Sequence, residues 1–154
     1  MIFTKGVKSN MELITKHHGV REYSDEDVIM FKKGLPGFKE LKKFIIFPLE
    51  KNEVFSILHS IENTEMGLVM VSPFNVIKDY EFKIPDTCIK ELAISKAEEV
   101  LVLTTVTLNS NINNMTTNLK APIIVNIKEK FGEQLILDND KYKLKEPLFK
   151  ENSN

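Results

Sequence analysis

Three histidines and one cysteine are the side chains best suited to metal binding or nucleophilic chemistry. His17 and His18 are adjacent in the sequence, and His59 stands alone. Neighbouring residues of a strand point to opposite faces, so a single metal ion would not readily take both His17 and His18 as ligands. The sequence contains no HxH, CxxC or HExxH spacing. We therefore expect surface or partly buried histidines and no metal site.

Catalytic motifs are missing from the sequence. Cys88 falls on the apolar face of a segment with helical periodicity, and a buried thiol in apolar surroundings is ordinarily unreactive. There is no GxSxG elbow, no Walker loop and no dinucleotide-binding GxGxxG. Paired carboxylates occur, but nothing in the pattern places them in an apolar pocket that would shift their pKa. These observations predict no enzyme and no cofactor.

An acidic stretch is the first candidate for binding a protein. Glu22, Asp25, Glu26 and Asp27 lie within six consecutive positions. Such a patch can steer a basic partner by electrostatic attraction. The competing interpretation is a solvated loop whose carboxylates cap the local backbone.

Two further segments are candidates for a protein interface. Ser72-Pro73-Phe74, followed by Tyr80, places aromatic side chains next to a turn, where they serve either docking or core packing. Residues 109–122 form a long Asn-rich and Thr-rich connection between two apolar strands, longer than a plain hairpin requires. This connection is either a functional loop or a structured link whose side chains bond the backbone. Its candidate residues are Thr116, Asn118, Leu119 and Pro122.

The composition bounds the class of protein. The chain has 154 residues, a length typical of one domain, and 21 basic against 22 acidic residues give a net charge of −1. This balance gives no support for direct nucleic-acid binding. One cysteine favours a reducing compartment, and no apolar run approaches the roughly 20 residues of a membrane span. We expect a cytoplasmic protein, monomeric when free, with no membrane association.

The sequence predicts that mainly strands position these residues. Short apolar runs rich in Val, Ile, Phe and Thr alternate with turn residues, which is typical of strands. This pattern predicts a mainly β, small antiparallel β-barrel-like single domain with one or two short helices. The predicted strands are Leu13–His17, Val28–Phe31, Phe44–Pro48, Phe55–Ser60, Gly67–Val71, Glu81–Ile84, Val100–Leu108, Ile123–Ile127 and Gln134–Leu137.

Turns, a helix and the chain ends complete the organisation. Leu35–Phe38 fits a type II turn, with Pro36 and Gly37 at its centre, and residues 130–133 predict a hairpin connection. Asp86 is expected to cap a helix over Thr87–Ile94. Residues 1–10 are predicted to be an extension that precedes the domain of residues 11–149, and residues 150–154 a polar tail.

Four motifs, in order, resemble the flagellar assembly factor FliW family over about residues 11–147. Residues 31–38 read FKKGLPGF, similar to the family's F-x-x-G-L-P-G-F turn. Residues 58–60 read LHS where the family usually has L-Q-S, and residues 72–81 match its P-F…D-Y pair. Residues 116–126, TTNLKAPIIVN, are similar to its T-x-N-L-x-A-P-I-x-x-N segment, with a downstream G-x-Q at Gly132.

The resemblance implies a fold and a function that the composition alone does not name. FliW proteins are cytoplasmic flagellar assembly factors with a small β-barrel-like fold. They bind flagellin, and they antagonise the carbon storage regulator CsrA, an RNA-binding repressor of flagellin translation, by exchanging one partner for the other. Two other functions remain open from the residues themselves: a small-ligand-binding barrel or enzyme, and a direct RNA binder.

Overall fold

A computed structural model describes residues 10–150 of the chain. In this range eleven strands accompany a single α-helix, α1 (Asp86–Glu91), and four short 3-10 turns, so the predicted mainly β class is confirmed. The predicted extension and tail lie largely outside the described residues. The strands are β1 (Met11–Ile14), β2 (Val20–Tyr23), β3 (Ile29–Met30), β4 (Lys43–Pro48), β5 (Phe55–Ser60), β6 (Gly67–Val71), β7 (Val100–Thr107), β8 (Thr116–Thr117), β9 (Ile123–Asn126), β10 (Phe131–Gln134) and β11 (Glu146–Pro147).

Nine of these strands form one curved sheet in the order β11-β8-β7-β6-β5-β4-β3-β10-β9. Strand β7 also pairs with β9, the last strand of this order, so the sheet curls back on itself while β8 and β11 extend beyond the junction. The link between β3 and β10 is a single parallel pair, Met30 with Phe131. The architecture is therefore barrel-like without being a strictly closed barrel.

The interior of the curved sheet is filled by side chains. Phe31 and Phe44 pack edge to face with ring centroids 5.2 Å apart, and both are fully buried. Aromatic and aliphatic residues between positions 29 and 125 meet there, so the interior of the barrel is a packed core. The buried members of this cluster are Ile29, Phe31, Leu35, Leu41, Phe44, Leu58, Met66, Met70, Leu103, Ile123 and Val125.

Strand β7 is shared among three neighbours along its length. Residues 100–103 pair with β9, Thr104 and Thr105 with β6, and Val106 and Thr107 with β8. Full burial falls at Leu103 and Thr104, in the middle of the strand. Although a run as uniformly apolar as residues 100–103 is typical of a strand covered on both faces, the first three residues are only half-buried.

The predicted strand over Glu81–Ile84 is not a strand. Its backbone pairs with a side chain: the Glu81 N–H donates to the Tyr142 hydroxyl oxygen at 2.8 Å, and that hydroxyl donates to the Glu81 carbonyl at 3.0 Å. Tyr142 therefore satisfies both backbone groups of Glu81 without a partner strand.

Three further predictions needed correction. Asp86 is the first residue of α1 and makes no cap, and the residue before it is Pro85. The β9–β10 turn comprises residues 127–130, so Phe131, Gly132 and Glu133 belong to β10. The histidines at 17 and 18 lie in the turn between β1 and β2, where Thr15 bonds the Gly19 carbonyl.

The type II turn is confirmed, and the Asn-rich connection is structured. Gly37 has a φ of 84° and the Phe38 N–H donates to the Leu35 carbonyl at 2.8 Å. In the connection, the Asn111 side chain accepts from the Asn113 N–H, and equivalent bonds involve Asn109 and Asn118. These asparagines therefore support the backbone of the loop.

Candidate protein-interaction site

The structure joins two of the three predicted interface segments. The Tyr80 hydroxyl donates to the Leu119 carbonyl at 2.7 Å, which ties the Ser72–Phe74 turn region to residues 116–122. The Phe74 ring meets the Tyr80 ring edge to face at 5.7 Å. Residues that are widely separated in sequence therefore form one region at the β7–β8 end of the sheet.

Burial divides the residues of this region into two groups. Tyr80 is 3% exposed and Leu119 is fully buried, and Pro73 and Pro122 are buried beside them. Burial, aided by the neighbouring Tyr142 hydroxyl, raises the pKa of Tyr80, so its phenol remains a neutral hydrogen-bond donor. These four residues hold the region together and present little surface to a partner.

The remaining candidates of this region are more accessible. Phe74 is 47% exposed, and Ser72, Thr116 and Asn118 are half-buried. Thr116 lies in β8, between β7 and β11, and the Asn118 side chain accepts from the Lys120 N–H at 3.0 Å. Phe74 is thus the largest apolar side chain that the predicted segments offer to solvent.

An apolar groove lies beside this region. It consists of two adjoining cavities of about 240 and 250 Å³ that share Asn52, Phe55 and Phe149. The floor is a small apolar cluster built on Phe55, Val71 and Met115. The other apolar side chains of the groove are Leu49, Val54, Val69, Val76, Leu108, Ile112 and Leu148.

Several large apolar side chains of the groove are exposed to solvent. Val54, Leu108 and Ile112 are 60%, 61% and 60% exposed, and Phe149 is 44% exposed. A contiguous apolar patch with polar residues at its rim is typical of a protein-binding site. Sequence reasoning missed it, although isolated large apolar residues inside polar segments, such as Ile112 and Phe149, were an available signal.

The acidic stretch lies on a different element. Glu22 is exposed on β2, directly opposite Glu12 of β1, so two like charges face each other across the hairpin. Asp25 and Asp27 are exposed in the following 3-10 turn. Asp27 also accepts the Ser24 N–H at 2.8 Å, so it supports the turn as well as carrying charge.

The β1–β2 hairpin packs on the main sheet through aromatic side chains. The His18 ring lies 6.1 Å from the rings of Phe47 and His59, and the Arg21 guanidinium lies over Phe47 at 4.5 Å. Partial burial lowers the pKa of His18, and the nearby His59, His17 and Arg21 lower it further. The neutral imidazole therefore suits this contact.

Cys88 has the environment of an inert thiol. It is buried in α1, and burial followed by its hydrogen bond to Glu133 raises the thiol pKa to about 12. Burial disfavours the Glu133 carboxylate, but hydrogen bonds from Lys33, at 2.6 Å, and from Cys88 hold its pKa below the usual value. A thiol with this pKa supplies no thiolate nucleophile near neutral pH.

Residues 10–150 contain neither a cluster suited to a metal ion nor a helix suited to a membrane. No group of three or more His, Cys, Asp or Glu side chains in that range could hold a metal ion. No helix there has both the length and the apolar character needed to cross a bilayer.

Comparisons with known proteins match almost the whole chain. The FliW protein family model matches residues 12–148. A curated relative named flagellar assembly factor FliW, from Clostridium novyi (strain NT), is 61% identical over 141 residues, which cover 92% of this chain and 99% of the relative. The relative of the same name from Clostridium tetani (strain Massachusetts / E88) is 53% identical and covers 92% and 97%.

A solved structure agrees with these sequence matches. The crystal structure of a flagellar assembly factor FliW superposes with a TM-score of 0.86 at 34% identity, covering 93% of this chain and 100% of the other. The chain therefore belongs to the FliW family.

Proposed function

We propose that this flagellar assembly factor works in the cytoplasm by binding flagellin and by antagonising the translational repressor CsrA. The single observation that carries the binding role is the apolar groove beside β5, β6 and β8. Both partners are those that the family resemblance implies. In this proposal the chain is a monomer when free, has no enzymatic activity, and binds neither nucleic acid nor membrane directly.

The groove suits an amphipathic helix from flagellin. Helix-in-groove recognition places the apolar face of a helix on a hydrophobic surface, with anchors one turn apart. Phe55 and Met115 provide a buried floor, while Leu108 and Ile112 expose apolar surface at one side. A bound helix would remove this surface from water, at about 25 cal/mol per Å² of apolar area.

The hairpin surface suits a basic partner. Glu12 and Glu22 repel each other across β1 and β2, and a cationic surface placed over them would relieve that repulsion. CsrA carries a basic RNA-binding surface, so the acidic stretch is the proposed contact. CsrA is inhibited either by direct cover of that surface or by a shift in its conformation, which requires a coupling free energy of about 1–3 kcal/mol.

The small-ligand barrel is the less supported alternative. A ligand in the lumen needs empty space inside the barrel. Here fully buried Phe31, Phe44 and Met70 fill that interior together with their neighbours.

Isothermal titration calorimetry tests the proposal with purified flagellin and purified CsrA, each alone and then in competition. Binding to neither at tens of micromolar would refute it. Ile112→Asp should weaken flagellin binding at least tenfold, because the groove would then bury an unpaired carboxylate. Ile136→Asp is the matched control, since Ile136 is 69% exposed but lines neither cavity of the groove.

Charge reversal tests the hairpin surface separately. Glu22→Lys and Asp25→Lys should each lower the rate constant of association with CsrA. They should also weaken or reverse the dependence of that rate constant on salt concentration. Glu129→Lys makes the same charge change on the exposed β9–β10 turn and should leave association unchanged. Equal effects of all three substitutions would mean that net charge, and not this patch, governs the encounter.

A further inference from the structure

Within the described part of the chain, Phe149 is the one residue after β8 that lines both cavities of the groove. The two cavities have three lining residues in common, namely Asn52, Phe55 and Phe149. Asn52 and Phe55 belong to the start of β5 and the turn before it. Phe149 comes from a distant part of the chain, after β11, and its side chain lies where the two cavities adjoin.

The segment that carries Phe149, the C-terminal strap (Glu146–Lys150), is held by few interactions. Strand β11 has only two residues, paired with β8 at the outer edge of the sheet, and Pro147 has no N–H to donate. Beyond it the Leu148 N–H donates to the Met115 carbonyl at 3.1 Å. The Lys150–Glu146 ion pair, at 2.8 Å, joins an exposed lysine to a buried carboxylate, but both residues belong to the strap, so the pair does not fasten the strap to the rest of the domain.

Leu148 and Phe149 differ in how closely they pack against the apolar cluster. Leu148 packs against the cluster of Phe55, Val71 and Met115 and anchors the strap. Phe149 remains 44% exposed although it lines both cavities. Its ring is therefore only partly removed from water, so less apolar burial holds it in the groove than if it were fully buried.

We propose that Phe149 is an intramolecular occupant of the groove, and that the place it fills is a binding site for a large apolar side chain from a partner helix. The partner's side chain, aromatic or long and aliphatic, displaces Phe149 and joins the two cavities into one trough. Because the apolar ring of Phe149 already lies in the groove, the partner's side chain is expected to be similarly large and apolar. The inference rests on the proposed function only in assigning the groove to a flagellin helix.

A dye experiment tests the self-occupancy without any partner. The variants Phe149→Ala and Phe38→Ala are compared with the original chain in binding 8-anilino-1-naphthalenesulfonate, a probe for exposed apolar cavities. Phe38 is a control of the same side-chain type because it is 41% exposed and lines a different cavity, outside the groove, whose walls include the polar Asn63 and Glu65. Phe149→Ala should bind the dye at least threefold more tightly, and Phe38→Ala should not. Equal dye binding by all three proteins would overturn the proposal.

A fluorescent replacement tests the displacement. The chain contains no tryptophan, so Phe149→Trp introduces a single fluorescent reporter where the two cavities adjoin. Binding of purified flagellin should shift its emission to the red and increase quenching by acrylamide, because the indole is expelled into water. A blue shift would place the ring inside the interface and overturn the proposal.

The affinity for flagellin separates the outcomes further. Phe149→Ala should bind flagellin about fivefold more tightly, since the partner has nothing to displace. Weaker or unchanged binding would show that Phe149 is a contact or an irrelevant residue, and either result overturns the displacement. If the original chain binds no flagellin, the proposed function fails, while the dye experiment still decides whether Phe149 fills the groove.

Discussion

Asn126 is expected to be one of the most sensitive positions for stability. It is fully buried at the end of β9. Its side-chain N–H groups donate to the Leu92 carbonyl at 2.8 Å and to the Ala93 carbonyl at 3.2 Å, where α1 ends. Its side-chain oxygen accepts the N–H groups of Lys128 and Glu129, each at 3.0 Å. One amide thus caps a helix and shapes the β9–β10 turn.

The magnitude follows from these four hydrogen bonds. Each is worth about 0.5–1.5 kcal/mol net, and a buried acceptor left without a donor costs about 1–3 kcal/mol. Lys128 and Glu129 are exposed, so their N–H groups can bond to water in a variant, whereas Leu92 is buried. We expect Asn126→Ala to lower the free energy of unfolding by about 3 kcal/mol. Asn126→Asp should cost more, because its carboxylate faces two carbonyl oxygens.

Urea unfolding followed by far-UV circular dichroism measures these differences, with thermal midpoints expected to fall by roughly 10 °C. The matched control is Asn111, an exposed asparagine whose oxygen accepts only a local N–H at 3.0 Å. Asn111→Asp should change stability by less than about 0.5 kcal/mol. If Asn126→Asp is as stable as the original chain, the reasoning that its N–H groups cap α1 is refuted.

Three further predictions concern stability elsewhere in the chain. Tyr80→Phe should lower the free energy of unfolding by about 1–2 kcal/mol in urea, because the Leu119 carbonyl loses its donor; no change would mean that water replaces the hydroxyl. Gly67→Ala should lower the free energy of unfolding by about 1–3 kcal/mol, since the new methyl would lie 2.6 Å from the buried His59 ring. The double variant with Gly67→Ala and His59→Gln should recover part of that loss. Because the folded pKa of His18 is lowered, its contribution is complete above pH 6.5 and is lost as the pH falls below that value, so urea titrations from pH 7.5 to 5 should show a steeper decline than for His18→Gln.

Strands with uniform patterns were predicted well from the sequence. Strands β5 and β6 lie where the runs of apolar residues indicated. The pattern failed where long-range partners decide the structure. Strand β8 consists of two threonines that pair with β7 and β11, and neither partner is visible from the local sequence. Glu81 is the converse case, since the Tyr142 hydroxyl satisfies its backbone from far along the chain.

The candidate site was predicted in part. The motifs indicated Phe74, Tyr80 and Leu119, but burial, which depends on tertiary packing, decides that only Phe74 offers a large surface. The groove itself escaped prediction because its walls come from separate segments, including Ile112 in an Asn-rich connection and Phe149 after the last strand. The acidic stretch was visible as charge, whereas its opposition to Glu12 required the hairpin register.

The single pair between Met30 and Phe131 also has a consequence for how the chain folds. These two residues lie about 100 positions apart in the chain, so their pairing closes a very long loop, and loops of that size close late. During synthesis, the meander of β3 to β6 would leave the ribosome with the outer edge of β3 unpaired. Until β10 emerges, that edge is open to pairing with other nascent chains. We therefore expect the yield of refolding to fall with protein concentration, and truncation before β10 to favour aggregation.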